Sequence, residues 1–96
     1  MKDNGQTYIN QYLEKLEKEK GYSMHTIDAY KRDLEKFKLF LIDYNGQSFQ
    51  SFKFVDKWAL RNFLGKEGED GMSSKTRRRR LSTIRGFFDY LVMSKK

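Results

Sequence analysis

The sequence GMSSKTRRRRLSTIRGFFDYL, residues 71–91, reads as one helix with an apolar back and a strongly basic front. Leu81, Ile84, Phe87, Phe88 and Leu91 recur at steps of three and four, the spacing of one helical face, and Val92 extends that stripe. Lys75, Arg77, Arg78, Arg79, Arg80 and Arg85 add six positive charges, and no acid interrupts them before Asp89. The N-terminal end of a helix carries about half a positive charge and favours Asp and Glu in its first turns. Cations placed there repel the helix they sit on, so the segment points to a polyanionic partner that supplies the missing negative charge.

At about 100° per residue, Lys75, Arg78, Arg79 and Ser82 cluster opposite the apolar stripe. Thr76 and Thr83 flank this cluster on one side and Arg85 on the other. Arg77 points toward the core side within the first turn, where a long side chain can snorkel outward, and Arg80 sits at the boundary. Arginine forks match guanine edges in the major groove, cations neutralise phosphates, and hydroxyls add phosphate or base contacts. The opening turn offers unpaired backbone N–H groups to a phosphate. Gly86 on this front costs about 1 kcal/mol of helix propensity relative to Ala and would let a partner approach closely. The bland alternative is a solvated charged face; nuclear-localisation and membrane-surface readings also fit a basic run.

The rest of the chain agrees with this reading. Ninety-six residues with a net charge of +7 make one small domain that favours an acidic partner, nucleic acid first and an anionic membrane second. There is no cysteine, which excludes disulfides and thiolate metal sites and suits a reducing cytoplasm. No apolar run approaches the roughly 20 residues of a membrane span, and the N-terminus lacks the apolar segment of a signal peptide. Proline is absent, which fits an all-helical chain with short connections.

The spacing predicts an all-α domain of four helices in two hairpins. The first covers about residues 6–20, with Tyr8, Ile9, Tyr12, Leu13 and Leu16 on one face and Gly21 after its end. The second covers about 23–44, with Ser23 as N-cap and Ile27, Tyr30, Leu34, Phe37 and Leu41 inward. Residues 47–53 read as a loop with buried rings, Phe49 and Phe52 among them, since a lone strand there has no partner. The third helix covers about 55–64, with Val55, Trp58, Ala59, Phe63 and Leu64 inward, and residues 65–71 read as a flexible polar loop. The fourth covers about 73–93.

The second and fourth helices share a pattern at an offset of fifty residues. Ser23 and Thr26 align with Ser73 and Thr76, and Leu34, Phe37, Leu41 and Ile42 align with Ile84, Phe87, Leu91 and Val92. Either two capped amphipathic helices look alike by chance, or two hairpins are related by pseudo-symmetry. His25, Asp28, Arg32 and Lys36 form a weaker front on the second helix, with little net charge. His25 is the sole histidine; with no second imidazole and no thiol it reads as a surface or contact residue, and neither a metal site nor any cofactor is expected.

Three segments resemble the N-terminal, SAM-like core-binding domain of tyrosine recombinases, the Xer and phage-integrase group. GYSMHTIDAYKRDLEKFKLFL (21–41) is similar to that family's Ser-x-x-Thr-x-x-x-Tyr-x-x-Asp-Leu helix, and VDKWALRNFL (55–64) to its short third helix. GMSSKTRRRRLSTIRGFFDYL is similar to its last helix and is the most specific of the three. The resemblance implies one SAM-like core-binding domain over residues 1–96 that forms half of a clamp around duplex DNA. It places the second and fourth helices at the major groove. Position by position, it points to Thr26 and Arg32 on the second helix and to Lys75, Thr76, Arg79 and Thr83 on the fourth, and His25, read above as a contact residue, joins them as a DNA-binding candidate. Arg78, Ser82 and Arg85 are then phosphate candidates.

It also implies that strand cleavage belongs to a separate C-terminal domain carrying an Arg, Lys, His and Tyr constellation, so that this chain by itself is expected to bind DNA without cutting it. Other protomers of the recombinase are the second implied partner, and a helical protein-interaction module supporting assembly is the alternative function; an RNA-binding or repressor domain is a third. Two positions depart from the family pattern. Arg77 stands where an apolar residue is usual, which predicts looser packing or a different lean at the start of the fourth helix, and Met72 replaces a leucine.

Overall fold

The computed structural model describes residues 6–44 and 57–94. Four helices follow in order: α1 (Gln6–Lys20), α2 (Met24–Tyr44), α3 (Lys57–Glu69) and α4 (Ser74–Met93). The domain is therefore the all-α, four-helix arrangement that the apolar spacing predicts. The expected ring-bearing loop at 47–53, with Phe49 and Phe52, lies outside the described residues, as does Val55.

Each hairpin turns through the same device. Gly21 and Gly71 both take positive φ, 67° and 88°, a region that only glycine enters without a Cβ penalty. Two residues later a serine caps the next helix: the Thr26 amide donates to Ser23 Oγ at 3.2 Å and the Thr76 amide to Ser73 Oγ at 3.1 Å. Each cap serine also donates its own proton to that threonine's hydroxyl, at 3.1 and 3.0 Å. At the end of α3 the amides of Gly71 and Met72 return to the carbonyls of Gly68 and Glu67, the paired bonds of a Schellman motif.

The inward stripes then meet. Ile9, Leu13 and Leu16 of α1, Leu34, Phe37 and Leu41 of α2, Ala59 and Phe63 of α3, and Ile84, Phe87 and Leu91 of α4 are buried together. Phe37 lies 5.2 Å from Phe63 and 6.3 Å from Phe88, centroid to centroid, within the range of favourable ring pairs. The helix α2 packs on α4; α1 packs on both, and so does α3, while α1 and α3 do not meet among the described residues. Exchanging α1 with α3 and α2 with α4 leaves that pattern unchanged. The likeness at an offset of fifty thus extends from the sequence into the turns, the caps and the packing.

Four expectations are corrected. The segment 65–71 is not a flexible loop: α3 runs to Glu69 through Gly65 and Gly68. Two tertiary contacts override the poor helix propensity of glycine. Glu67 is buried against Arg80 of α4, and the Arg77 guanidinium lies so close over Gly68 that a Cβ there would sit 3.0 Å from it. That contact also answers the question of Arg77, which packs on α3 through a space kept open by glycine.

Trp58 is not inward but 56% exposed, because α3 turns Ala59 and Phe63 inward, and Arg61 stacks over its ring at 5.3 Å. Val92 is 76% exposed; with Leu91 buried in the last turn of α4, the next residue points away. Gly86 does not leave room for an external partner: a Cβ there would meet Tyr12 Oη at 2.6 Å, so the glycine lets α1 approach α4. No helix among the described residues is long and apolar enough to cross a membrane.

Candidate nucleic-acid interface

Six cations sit on or beside α4, and the structure divides them into matched and unmatched. Arg79 reaches Asp33 of α2 through Nε and Nη2, at 3.0 and 2.7 Å. Arg80 donates from Nε to the same carboxylate at 3.2 Å and pairs with Glu67 of α3 through Nη1. Thr83 Oγ1 donates to Asp33 Oδ2 at 3.0 Å, with the Arg79 carbonyl as its alternative acceptor at 2.9 Å. Asp33 is 0% exposed. A buried carboxylate is costly unless well paired, and here three donors from α4 surround it. Two guanidiniums and two carboxylates form a neutral cluster that ties α2, α3 and α4 together. The hydrogen bond that Arg79 donates to Asp33 holds its guanidinium above its ordinary pKa, against the opposing effect of burial.

What remains is the front. Lys75, Arg78, Ser82 and Arg85 are exposed at steps of three, four and three, so they share one face of α4. None of the ion pairs found among the described residues involves Lys75, Arg78 or Arg85. The first turn of α4 holds no acid, and Lys75 within it opposes the helix dipole. Ser82 helps line a cleft of about 390 Å³ together with Tyr12, Tyr22, Tyr30 and Tyr90.

On α2, His25 and Arg32 are exposed; Thr26 there and Thr76 on α4 are half-buried beside their cap serines. Thr83 does not join them: it is 1% exposed and faces α2. A helical wheel drawn for α4 alone shows Thr83 on a flank but not that α2 covers that flank. Arg79 lies between the two groups, its side chain 41% exposed and anchored at one edge.

Asp33 and Glu67 are the residues that the charge reading passes over. A signal for Asp33 does exist: it falls between Tyr30 and Leu34 on the inward side of α2, and an acid there calls for a cation from a neighbouring helix. Glu67 carries no such signal, since it sits in a run of Gly, Lys, Glu and Asp. Among the described residues no three His, Asp or Glu side chains gather as a metal set would.

Comparison with known proteins adds to this geometry. Residues 9–95 match the family described as "Phage integrase, N-terminal SAM-like domain". The chain is 37% identical over 89 residues to tyrosine recombinase XerD of Staphylococcus saprophyticus, covering 93% of this chain and 29% of that protein. It is 36% identical over 90 residues to XerD of Staphylococcus haemolyticus, covering 94% and 30% respectively. The chain thus spans less than a third of the length of these curated relatives. No solved structure gives a significant match.

Proposed function

The chain belongs to the phage integrase N-terminal SAM-like domain family, and from that premise we propose that it binds duplex DNA as the core-binding clamp of a site-specific tyrosine recombinase. The observation that carries this reading is the front of α4. Lys75, Arg78 and Arg85 share one exposed face and are matched by no acid among the described residues, and Lys75 stands in the first turn, where a cation opposes the helix dipole. A phosphate backbone supplies the missing charge and releases its counterions in exchange. The α4 front and the His25, Thr26 and Arg32 edge of α2 lie toward the major groove. Lys75, Arg78 and Arg85 meet phosphates there, and Ser82 and Thr76 add hydroxyl contacts. Strand cleavage belongs to the part of the recombinase outside this match, so the 96 residues bind without cutting.

The test is fluorescence anisotropy against a labelled duplex of about 30 base pairs across a salt series, where affinity is expected to fall steeply with salt. Arg78→Glu with Arg85→Glu should weaken binding by about ten-fold or more while circular dichroism stays unchanged. Arg79 is left alone, because a carboxylate there would face Asp33. A folded chain that ignores duplex at low salt would sink the reading.

A second reading, contact between recombinase protomers, draws on a different surface. Leu39 and Trp58 are exposed, and a cleft of about 310 Å³ between α2 and α3 has Leu39, Phe40 and Phe63 in its lining beside charged residues, Lys36 and Asp70 among them. Mass measured against concentration tests it, and association should survive the Arg78 and Arg85 substitutions.

A further inference from the structure

The cations near α4 are not equivalent. Lys75, Arg78 and Arg85 are exposed and unmatched among the described residues, whereas Arg79 is half-exposed and fixed. We propose that Arg79 is the base-reading side chain of this surface and that buried Asp33 is the residue that positions it; the proposal rests on the duplex-DNA reading above.

The argument begins with the donors of a guanidinium. It has five N–H groups in a rigid plane. Asp33 takes one from Nε and one from Nη2, which occupies the side edge of the fork. Both N–H groups of Nη1 and the second of Nη2 meet no acceptor found among the described residues, and one from each nitrogen forms the end edge. That edge has the spacing that pairs with guanine O6 and N7 in the major groove. An arginine side chain carries about 2 kcal/mol of rotamer entropy, and binding costs less when the group is already held.

Asp33 is itself fixed. It is fully buried and receives Arg80 and Thr83 as well, and Arg80 is in turn held by Glu67 of α3. The orientation of Arg79 is therefore set by three helices.

A purely structural role for Arg79 fits these facts less well. Arg80, with a side chain only 6% exposed, already joins α2, α3 and α4. A staple gains nothing from standing 41% exposed on the same side of the helix as Arg78 and Lys75. Those two, free to swing, suit phosphates, which demand charge but little direction.

The experiment is enrichment from a pool of duplexes randomised over about 12 base pairs, read by sequencing the bound fraction. Wild type should enrich guanine at one or two adjacent positions, on the order of ten-fold over other bases, the discrimination typical of a bidentate pair. Arg79→Lys keeps the charge and loses the fork. It should flatten those positions while affinity for unselected duplex and its salt slope stay within about two-fold of wild type. Asp33→Asn should flatten the same positions as Arg79→Lys. If Asp33→Asn does not fold, Thr83→Val, which removes one of the hydrogen bonds holding Asp33, should weaken the same enrichment.

Binding without any enrichment in wild type, or an unchanged profile in Arg79→Lys, would overturn base reading by Arg79 and leave the DNA reading standing. Flattening by Arg79→Lys with an unchanged profile in folded Asp33→Asn, or in Thr83→Val where Asp33→Asn does not fold, would overturn positioning by Asp33. A wild-type chain that binds no duplex at all removes the DNA reading and this proposal together.

Discussion

Helix α2 carries His25, Asp28, Arg32 and Glu35 at the positions where α4, fifty residues on, carries Lys75, Arg78, Ser82 and Arg85. Two acids on one helix are two arginines on the other. The inward positions hardly differ: Leu34 and Ile84, Phe37 and Phe87, Leu41 and Leu91 are all buried. The seam between the helices is where the patterns interlock, since Asp33 and Thr83 occupy equivalent positions and hydrogen-bond to each other. The core half of each helix answers to packing and resists change, while the outer half is free to specialise. Of these two outer halves, that of α4 carries the unmatched cations Lys75, Arg78 and Arg85.

The largest effect should appear where the helices agree. Phe37 and Phe87 are both 0% exposed, and Phe→Ala in a packed core costs about 3–5 kcal/mol. Phe37→Ala and Phe87→Ala should each lower the urea midpoint by a comparable amount. If one proves tolerant, the two hairpins do not share the core equally and the internal likeness is only skin-deep.

A smaller but more telling effect comes from exchanging the fronts. Giving α4 the residues of α2, Arg78→Asp with Arg85→Glu, should weaken duplex binding by about ten-fold or more and lower the salt slope by about two. The reverse exchange, Asp28→Arg with Glu35→Arg, should strengthen binding and steepen the slope. Neither pair should change the circular dichroism, because no ion pair among the described residues involves these side chains. A reverse exchange that leaves affinity unmoved would mean that α2 does not face the DNA.

The same division explains what the sequence reveals. The bounds of α1, the cap serines 23 and 73, and the inward stripes of α2 and, apart from Val92, of α4 follow from local spacing and coincide with the structure. What escapes is set by neighbours. The run of α3 past Gly65 depends on Glu67 meeting Arg80 and on Gly68 admitting Arg77. The separation of Arg79 and Arg80 from the exposed cations depends on Asp33, an acid on another helix. Thr83 and Gly86 look outward on an isolated wheel because nothing in it represents α2 or Tyr12. Charge identifies the helix that carries the front, and packing decides which of its charges remain available.

The caps should be equal and modest. Ser23→Ala and Ser73→Ala each remove one side-chain acceptor at a helix start, worth about 1 kcal/mol. The two losses in unfolding free energy should agree closely, since the hydrogen bonds match in partner and length. A markedly larger loss at Ser73 would show that the cations of α4 make its first turn more dependent on the cap.

The smallest effect is a change of sign at Gly86, whose counterpart on α2 is Lys36. Replacing a mid-helix glycine with alanine normally gains about 0.8–1 kcal/mol. Here the new Cβ would lie 2.6 Å from Tyr12 Oη but 3.8 Å from the ring carbon that bears it. Gly86→Ala should therefore lose stability in the wild-type background and gain it in Tyr12→Phe, where the obstructing oxygen is gone. The Tyr12 phenol offers an independent check. Burial, aided by neighbouring tyrosines and Asp89, pushes its pKa up to about 12 from 10.0. The folded state thus favours the neutral phenol, a contribution present below pH 10 and lost as pH rises from 10 to about 12. Between pH 9 and 11 the urea midpoint of wild type should fall further than that of Tyr12→Phe. Tyr30, whose pKa is raised by burial as well, leaves a residual slope in the variant. If the two midpoints fall together, Tyr12 is not the group that α4 holds neutral, and the sign change at Gly86 should vanish with it.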